Sequence, residues 1–137
     1  MKKTVDGLNC ILLVDDDKIT NFVNQRVINK AEIDVSVQIK ENANDALSYI
    51  NHSENNAPRP NLIFLDINMP GKSGWDFLEE YGKLPEHKKA KIVVAMLTTS
   101  LNIDDEKRAE KYNDVKIFMK KPLTREKLEE TISNYFS

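Results

Sequence analysis

The chain carries one cysteine in 137 residues, so it can form no disulfide within itself. That residue, Cys10, stands among apolar neighbours at the start of a strand-like run, where a buried, inert thiol is expected rather than a nucleophile. A reducing compartment is the corresponding expectation. Histidine is almost as scarce: His52 and His87 both fall in polar, loop-like stretches, which leaves a transition-metal site without its usual ligands. No apolar run is long enough to cross a bilayer, and the basic start Met1-Lys2-Lys3 leads only to a short apolar stretch that breaks into aspartates. Neither a membrane span nor a secretory leader is expected, the protein is placed in the cytoplasm, and Asn51-His52-Ser53 has no use as a glycosylation acceptor. With 20 Lys and Arg against 22 Asp and Glu, the formal net charge is -2, and bulk attraction to nucleic acid or to an anionic membrane is not expected. Repeats and low-complexity tracts are absent as well.

What the chain does have is length enough for one domain with a real core, expected to fill 1–137 with its core over about 8–135 and no output domain attached. Short apolar runs alternate with longer amphipathic segments, the pattern of βα units around a parallel sheet. Strands are expected near Cys10–Val14, Val35–Ile39, Leu62–Asp66, Ile92–Leu97 and Val115–Met119, the second alternating as an exposed edge strand would. Helices are expected near Lys18–Lys30, Ala43–Asn51, Gly74–Tyr81, Asp104–Tyr112 and Thr124–Tyr135. On the first of these, Ile19, Phe22, Val23 and Val27 share one apolar stripe, with Arg26 and Lys30 in the same spacing. Asn42 or Asn44 caps the second, which turns Ala46, Leu47 and Ile50 inward, and Thr124 opens the last. The stretch 53–61, with Pro58 and Pro60, reads as a polar loop and not as a domain boundary.

The strand ends carry the chemistry. The run Ile11-Leu12-Leu13-Val14 delivers Asp15, Asp16 and Asp17; Leu62-Ile63-Phe64-Leu65 delivers Asp66, and Asn68-Met69-Pro70-Gly71 then forbids continuation; the last two strands end at Thr98 and at Lys121-Pro122. In open parallel sheets the reactive site lies at these carboxyl ends, so parallel strands would bring the groups together. Converged carboxylates repel and need a cation to stay ionised. Oxygen ligands from Asp15, Asp16, Asp66 and the main-chain carbonyl of Asn68 suit octahedral Mg²⁺, with Mn²⁺ as a possible substitute. Lys121 supplies a positive point charge and Thr98 a hydroxyl, so charge on a phosphoryl group passing to Asp66 would be met from several sides.

Asp15-Asp16, Asp66-Ile67-Asn68-Met69-Pro70-Gly71 with Gly74, Thr98 and Lys121-Pro122 occur in an order that resembles the receiver domain of two-component response regulators, over about Leu8 to Tyr135. The resemblance implies a flavodoxin-like, doubly wound α/β fold with a five-stranded parallel sheet in the order 2-1-3-4-5. It further implies Asp66 as phosphoacceptor, Asp16 as a direct metal ligand, Asp15 as one acting through water, and a cis Lys121-Pro122 bond. Thr98 and Phe118 would form its switch. Partners implied are a sensor histidine kinase or histidine phosphotransfer protein, and a downstream protein bound on the face of the fourth predicted helix, fifth strand and fifth helix. A monomer or phosphorylation-linked dimer is expected, acting as a switch and not as a turnover enzyme.

Other readings of the same residues compete. Asp17 and Asp76 are most simply helix caps, Thr98-Thr99-Ser100 also suits capping, and Trp75, Phe77 and Phe118 are core candidates. Gly71-Lys72-Ser73 is not a P-loop, because the first glycine of that motif would fall at Asp66; the calcium-loop reading would need an acid at Phe77. A haloacid-dehalogenase-type phosphatase would make Asp15 the nucleophile, though the chain is short for that class. A receiver-like fold used only for docking, or as a relay intermediate without switching, completes the set.

Overall fold

The computed structural model describes residues 2–52, 59–89 and 92–136. Five strands, β1 (Cys10–Val14), β2 (Ser36–Lys40), β3 (Leu62–Asp66), β4 (Val93–Thr98) and β5 (Val115–Lys120), form one parallel sheet in the order β2-β1-β3-β4-β5. Parallel strands need crossovers that bury both sheet faces, which is why β1, and β3 up to its terminal Asp66, are apolar and buried at every position. The two-residue period sorts their side chains. Leu12, Val14, Ile63 and Leu65 join one core cluster, and Ile11, Leu13, Leu62 and Phe64 join the other. The edge strands β2 and β5 are half-buried, and β2 is so at all five positions, without the expected alternation.

The helices are α1 (Lys18–Lys30), α2 (Ala43–His52), α3 (Gly74–Gly82), α4 (Glu86–Lys89), α5 (Ile103–Glu110) and α6 (Arg125–Tyr135). The single turn α4 has no counterpart in the sequence reading; four residues are too few to show a helical period. Most of the expected loop, 53–58, lies outside the described residues. The caps are local and follow the sequence: Asp17 accepts from the Ile19 N–H, Asn42 from the Asp45 N–H at 2.8 Å, and Thr124 from the Lys127 N–H at 3.2 Å. Asp76 completes a capping box with Ser73, whereas α5 is capped by Asn102 and not by the 98–100 run.

The first helix departs from its pattern. Ile19, Phe22 and Val23 are 74%, 59% and 40% exposed, so most of the apolar stripe faces outward, with Arg26 over the Phe22 ring, and only Val27 packs against the core. The face that α1 buries carries Asn21, Asn24 and Ile28 instead. Trp75 and Phe77 are core, as packing residues should be, and the Trp75 ring stacks on Tyr112.

The junction from β3 to α3 brings the chain back against itself. Gly74 donates its N–H to the Ile67 carbonyl at 2.8 Å, and a Cβ at position 74 would stand 2.5 Å from the Asp66 carbonyl oxygen and 3.0 Å from the Ile67 Cα. Both obstacles are backbone and cannot swing aside. Gly74→Ala is expected to cost about 1–3 kcal/mol of stability, as overpacking does. A urea midpoint equal to that of the parent chain would show that the junction tolerates a methyl group.

Candidate functional site

The ends of β1, β3 and β5 converge on one rim. Asp15 and Asp66 are 4% and 5% exposed, and the Lys121 ammonium lies between them, 2.7 Å from Asp15 Oδ2 and 2.9 Å from Asp66 Oδ1. Lys121 follows β5 directly, and its bond to Pro122 is cis. Asp16 is exposed, yet ligand oxygens of Asp15, Asp16 and Asp66 all lie within 4.8 Å of one another. Thr98 is 3% exposed at the end of β4, where its hydroxyl donates to the Ser100 carbonyl at 3.0 Å, and its own carbonyl accepts from the Lys121 N–H at 2.7 Å. Asn68 is exposed, and its backbone N–H donates to the Asp66 carboxylate. Phe118 is half-buried on β5 against the core cluster that contains Met96 and Ala109.

Burial pushes the Asp66 carboxyl above its ordinary value; the neighbouring Asp15 charge acts in the same direction, and Lys121 and the Asn68 N–H oppose it without cancelling it. For Lys121, burial works against the ammonium, but its hydrogen bonds and charge interactions with Asp15 and Asp66 prevail, and the net movement is upward. Ionised, the three carboxylates face the Lys121 ammonium, which leaves two negative charges in excess. An all-oxygen donor set with surplus negative charge and one solvent-facing member fits a hard divalent cation. Asp15, Asp16 and Asp66 are the groups that can hold it.

Asp15, Asp16, Asp66 and Lys121 are brought together at this rim, with Thr98 at the end of β4 and Phe118 within β5. One residue did not stand out: Asn21, buried on α1, donates through Nδ2 to the Asp15 carbonyl at 2.8 Å. Its only trace in the sequence is an amide inside a helix, a residue type with weak helix propensity.

Residues 11–133 match the family model described as response regulator receiver domain. Among curated proteins, response regulator Rcp1 of Synechocystis is 39% identical over 97 residues, a stretch that covers 69% of this chain and 65% of Rcp1, so just under two thirds of that relative is spanned. Among solved structures, a two component response regulator from Cytophaga hutchinsonii superposes with a TM-score of 0.83 at 30% identity, covering 98% of this chain and 99% of that one. The Mn²⁺-bound form of response regulator Rcp1 gives a TM-score of 0.71 at 32% identity, with 92% and 90% covered. With the strand order, the rim of acids and lysine, and a family match over nearly all of its length, the chain belongs to the response regulator receiver domain family.

Proposed function

We propose that the protein is a phosphorylation switch that takes a phosphoryl group from a phosphohistidine of a sensor histidine kinase or histidine phosphotransfer protein onto Asp66. The observation that carries this reading is the buried Asp66 carboxylate, 2.9 Å from the Lys121 ammonium, beside an acidic cluster with one exposed member. Asp15, Asp16, Asp66 and the Asn68 main-chain carbonyl hold Mg²⁺, with Mn²⁺ as a substitute. When bound, the ion supplies positive charge toward phosphoryl oxygens and the crowded carboxylates.

An Asp66 oxygen attacks phosphorus opposite the imidazole nitrogen of the donor, so that the P–O bond forms as the P–N bond breaks. Lys121 has three N–H donors, two of them directed at Asp15 and Asp66, and it meets the phosphoryl oxygens as they arrive without having to be recruited. The Thr98 hydroxyl exchanges its bond to Ser100 for one to a phosphoryl oxygen, and the space it leaves lets Phe118 turn inward, biasing an equilibrium already present. Output goes to a protein that binds the α5–β5–α6 face, where a cleft of about 550 Å³ is lined by Leu101, Phe118, Lys127 and Tyr135. We read the chain as one receiver domain acting in the cytoplasm, alone or as a phosphorylation-linked dimer. Its own chemistry is limited to self-catalysed gain and loss of phosphate. The phosphatase alternative is not favoured, since the match to the receiver domain family runs over residues 11–133.

Asp66→Asn is expected to abolish phosphorylation by acetyl phosphate and Mg²⁺, read as the loss of one added phosphoryl group by mass spectrometry. Phosphate retained by Asp66→Asn but lost in Asp15→Asn would favour the phosphatase. Because the folded Asp66 carboxyl is raised, its ionised form costs stability at neutral pH, and the metal-free variant should be the more stable one there. That gain is complete above the raised value and vanishes as the pH falls below about 3.9, where the unfolded aspartate is protonated too. A gain equal at pH 3 and pH 7 would contradict this account.

Asp16→Asn should weaken Mg²⁺ binding roughly 10-fold or more while raising metal-free stability, since it relieves repulsion and removes a ligand. Thermal denaturation with and without Mg²⁺ reads both effects, and unchanged metal binding would remove Asp16 from the site. Thr98→Ala and Phe118→Ala should uncouple phosphorylation from partner binding or dimerisation more than they slow phosphorylation. With beryllofluoride bound, amide exchange should change beyond the rim in Ser100–Tyr112 and Val115–Lys120; changes confined to the loops around Asp16 and Asp66 would identify a relay intermediate instead.

A further inference from the structure

We propose that Asn21 is a positioning residue for the acidic turn, holding the Asp15–Asp16 peptide in the orientation that presents the Asp16 carboxylate to a cation. The inference deepens the Mg²⁺-dependent phosphoacceptor reading and rests on it. Asp15 is where β1 leaves the sheet: its N–H still donates to the Lys40 carbonyl at 3.2 Å, but among the described residues no strand offers its carbonyl a donor. The Asn21 amide stands in for the missing ladder bond, at 2.8 Å. That bond fixes the peptide plane joining Asp15 to Asp16, and the plane sets the direction in which the Asp16 side chain leaves the backbone. The Asp15 carboxylate is held separately by Lys121 and by the Asp17 N–H, and Asp17 is held as the α1 cap, so Asp16 is the one exposed and otherwise untethered acid of the turn.

Asn21 holds this place against its own cost. A carbonyl oxygen only accepts, so the amide nitrogen must face Asp15, and Oδ1 is left buried with no partner among the described residues. A buried orphan acceptor is expensive, and an apolar residue on that face would avoid it. The helix nevertheless buries Asn21 at 3% exposure and turns Ile19 and Phe22 to solvent. Local rules broken in this manner cluster where function is served. Asn24 provides an internal control: it is 2% exposed on the same face, its Oδ1 is equally orphaned, and it makes no hydrogen bond to the turn among the described residues.

The test is calorimetric titration of the full chain with MgCl₂, comparing the parent protein with Asn21→Leu and Asn24→Leu, together with the amide NMR signal of Asp16. Asn21→Leu is expected to weaken Mg²⁺ binding roughly 10-fold or more, as loss of a group that orients a ligand does. The Asp16 signal should move in the metal-free protein, and the phosphorylation rate at saturating Mg²⁺ should be largely restored. Asn24→Leu should bind Mg²⁺ as the parent does. If Asn21→Leu and the parent bind alike, or if both variants weaken binding equally, Asn21 has no positioning role. Should Asn21→Leu fail to fold, Asn21→Ala, which adds no bulk, takes its place; unfolding of both while Asn24→Leu stays folded would overturn the proposal in favour of a folding role. A parent chain that binds no Mg²⁺ would overturn the functional reading and this proposal together. A parent that binds Mg²⁺ and accepts phosphate beside an Asn21→Leu chain that does both equally well would overturn the positioning role alone.

Discussion

One ammonium between two buried carboxylates holds the rim together. Lys121 and Asp15 are 106 residues apart in the chain and meet at 2.7 Å, and the same nitrogen reaches Asp66 at 2.9 Å. The strands concerned are not neighbours of β5, which pairs only with β4, so the contact ties the edge of the sheet to its centre across the carboxyl ends. Removing Lys121 would leave buried negative charge without its partner, which is costly. Compensation is incomplete all the same. The Asp66 carboxyl remains raised, and the exposed Asp16 adds a further negative charge within the same few ångströms. That surplus of negative charge is what makes the rim fit a hard divalent cation.

Stability and function pull in different directions around this surplus. The two central strands are buried at every position, and they carry the acids to the rim on a rigid base. Close approach at the Gly74 junction keeps the loop after Asp66 folded back against the strand end. On the other side, α1 gives up part of its packing, with two buried amides whose oxygens find no partner among the described residues, and with Ile19, Phe22 and Val23 left in water. A domain this small has little stability to spare. Concessions of this kind are expected next to a site whose groups must be held against their mutual repulsion.

Much of this was legible before any coordinates. The apolar runs placed all five strands to within a residue or two, most sharply the central ones, because a strand buried on both faces is apolar along nearly its whole length. The caps at Asp17, Asn42 and Thr124 were legible for a similar reason, since a cap joins groups two or three residues apart and tertiary structure hardly enters. Where the answer depended on distant packing, pattern failed. The α1 stripe has helical spacing, but nothing in the spacing says which face the sheet will cover. The single turn α4 and the Asn102 cap of α5 were missed because such short signals look the same in a loop.

The sequence by itself determined which groups stand at the strand ends: acids after β1 and β3, a hydroxyl at the end of β4 and a lysine after β5. It also determined the alternating units that make a parallel sheet the economical arrangement. Only the tertiary structure decided that Lys121 sits between Asp15 and Asp66, that Asp16 alone of the acidic cluster faces solvent, and that Asn21 takes up the Asp15 carbonyl. The reason is one of range. Hydrophobic period and capping act over a few residues and can be read along the chain, whereas burial and charge compensation depend on groups that meet only after the sheet has brought its strand ends together.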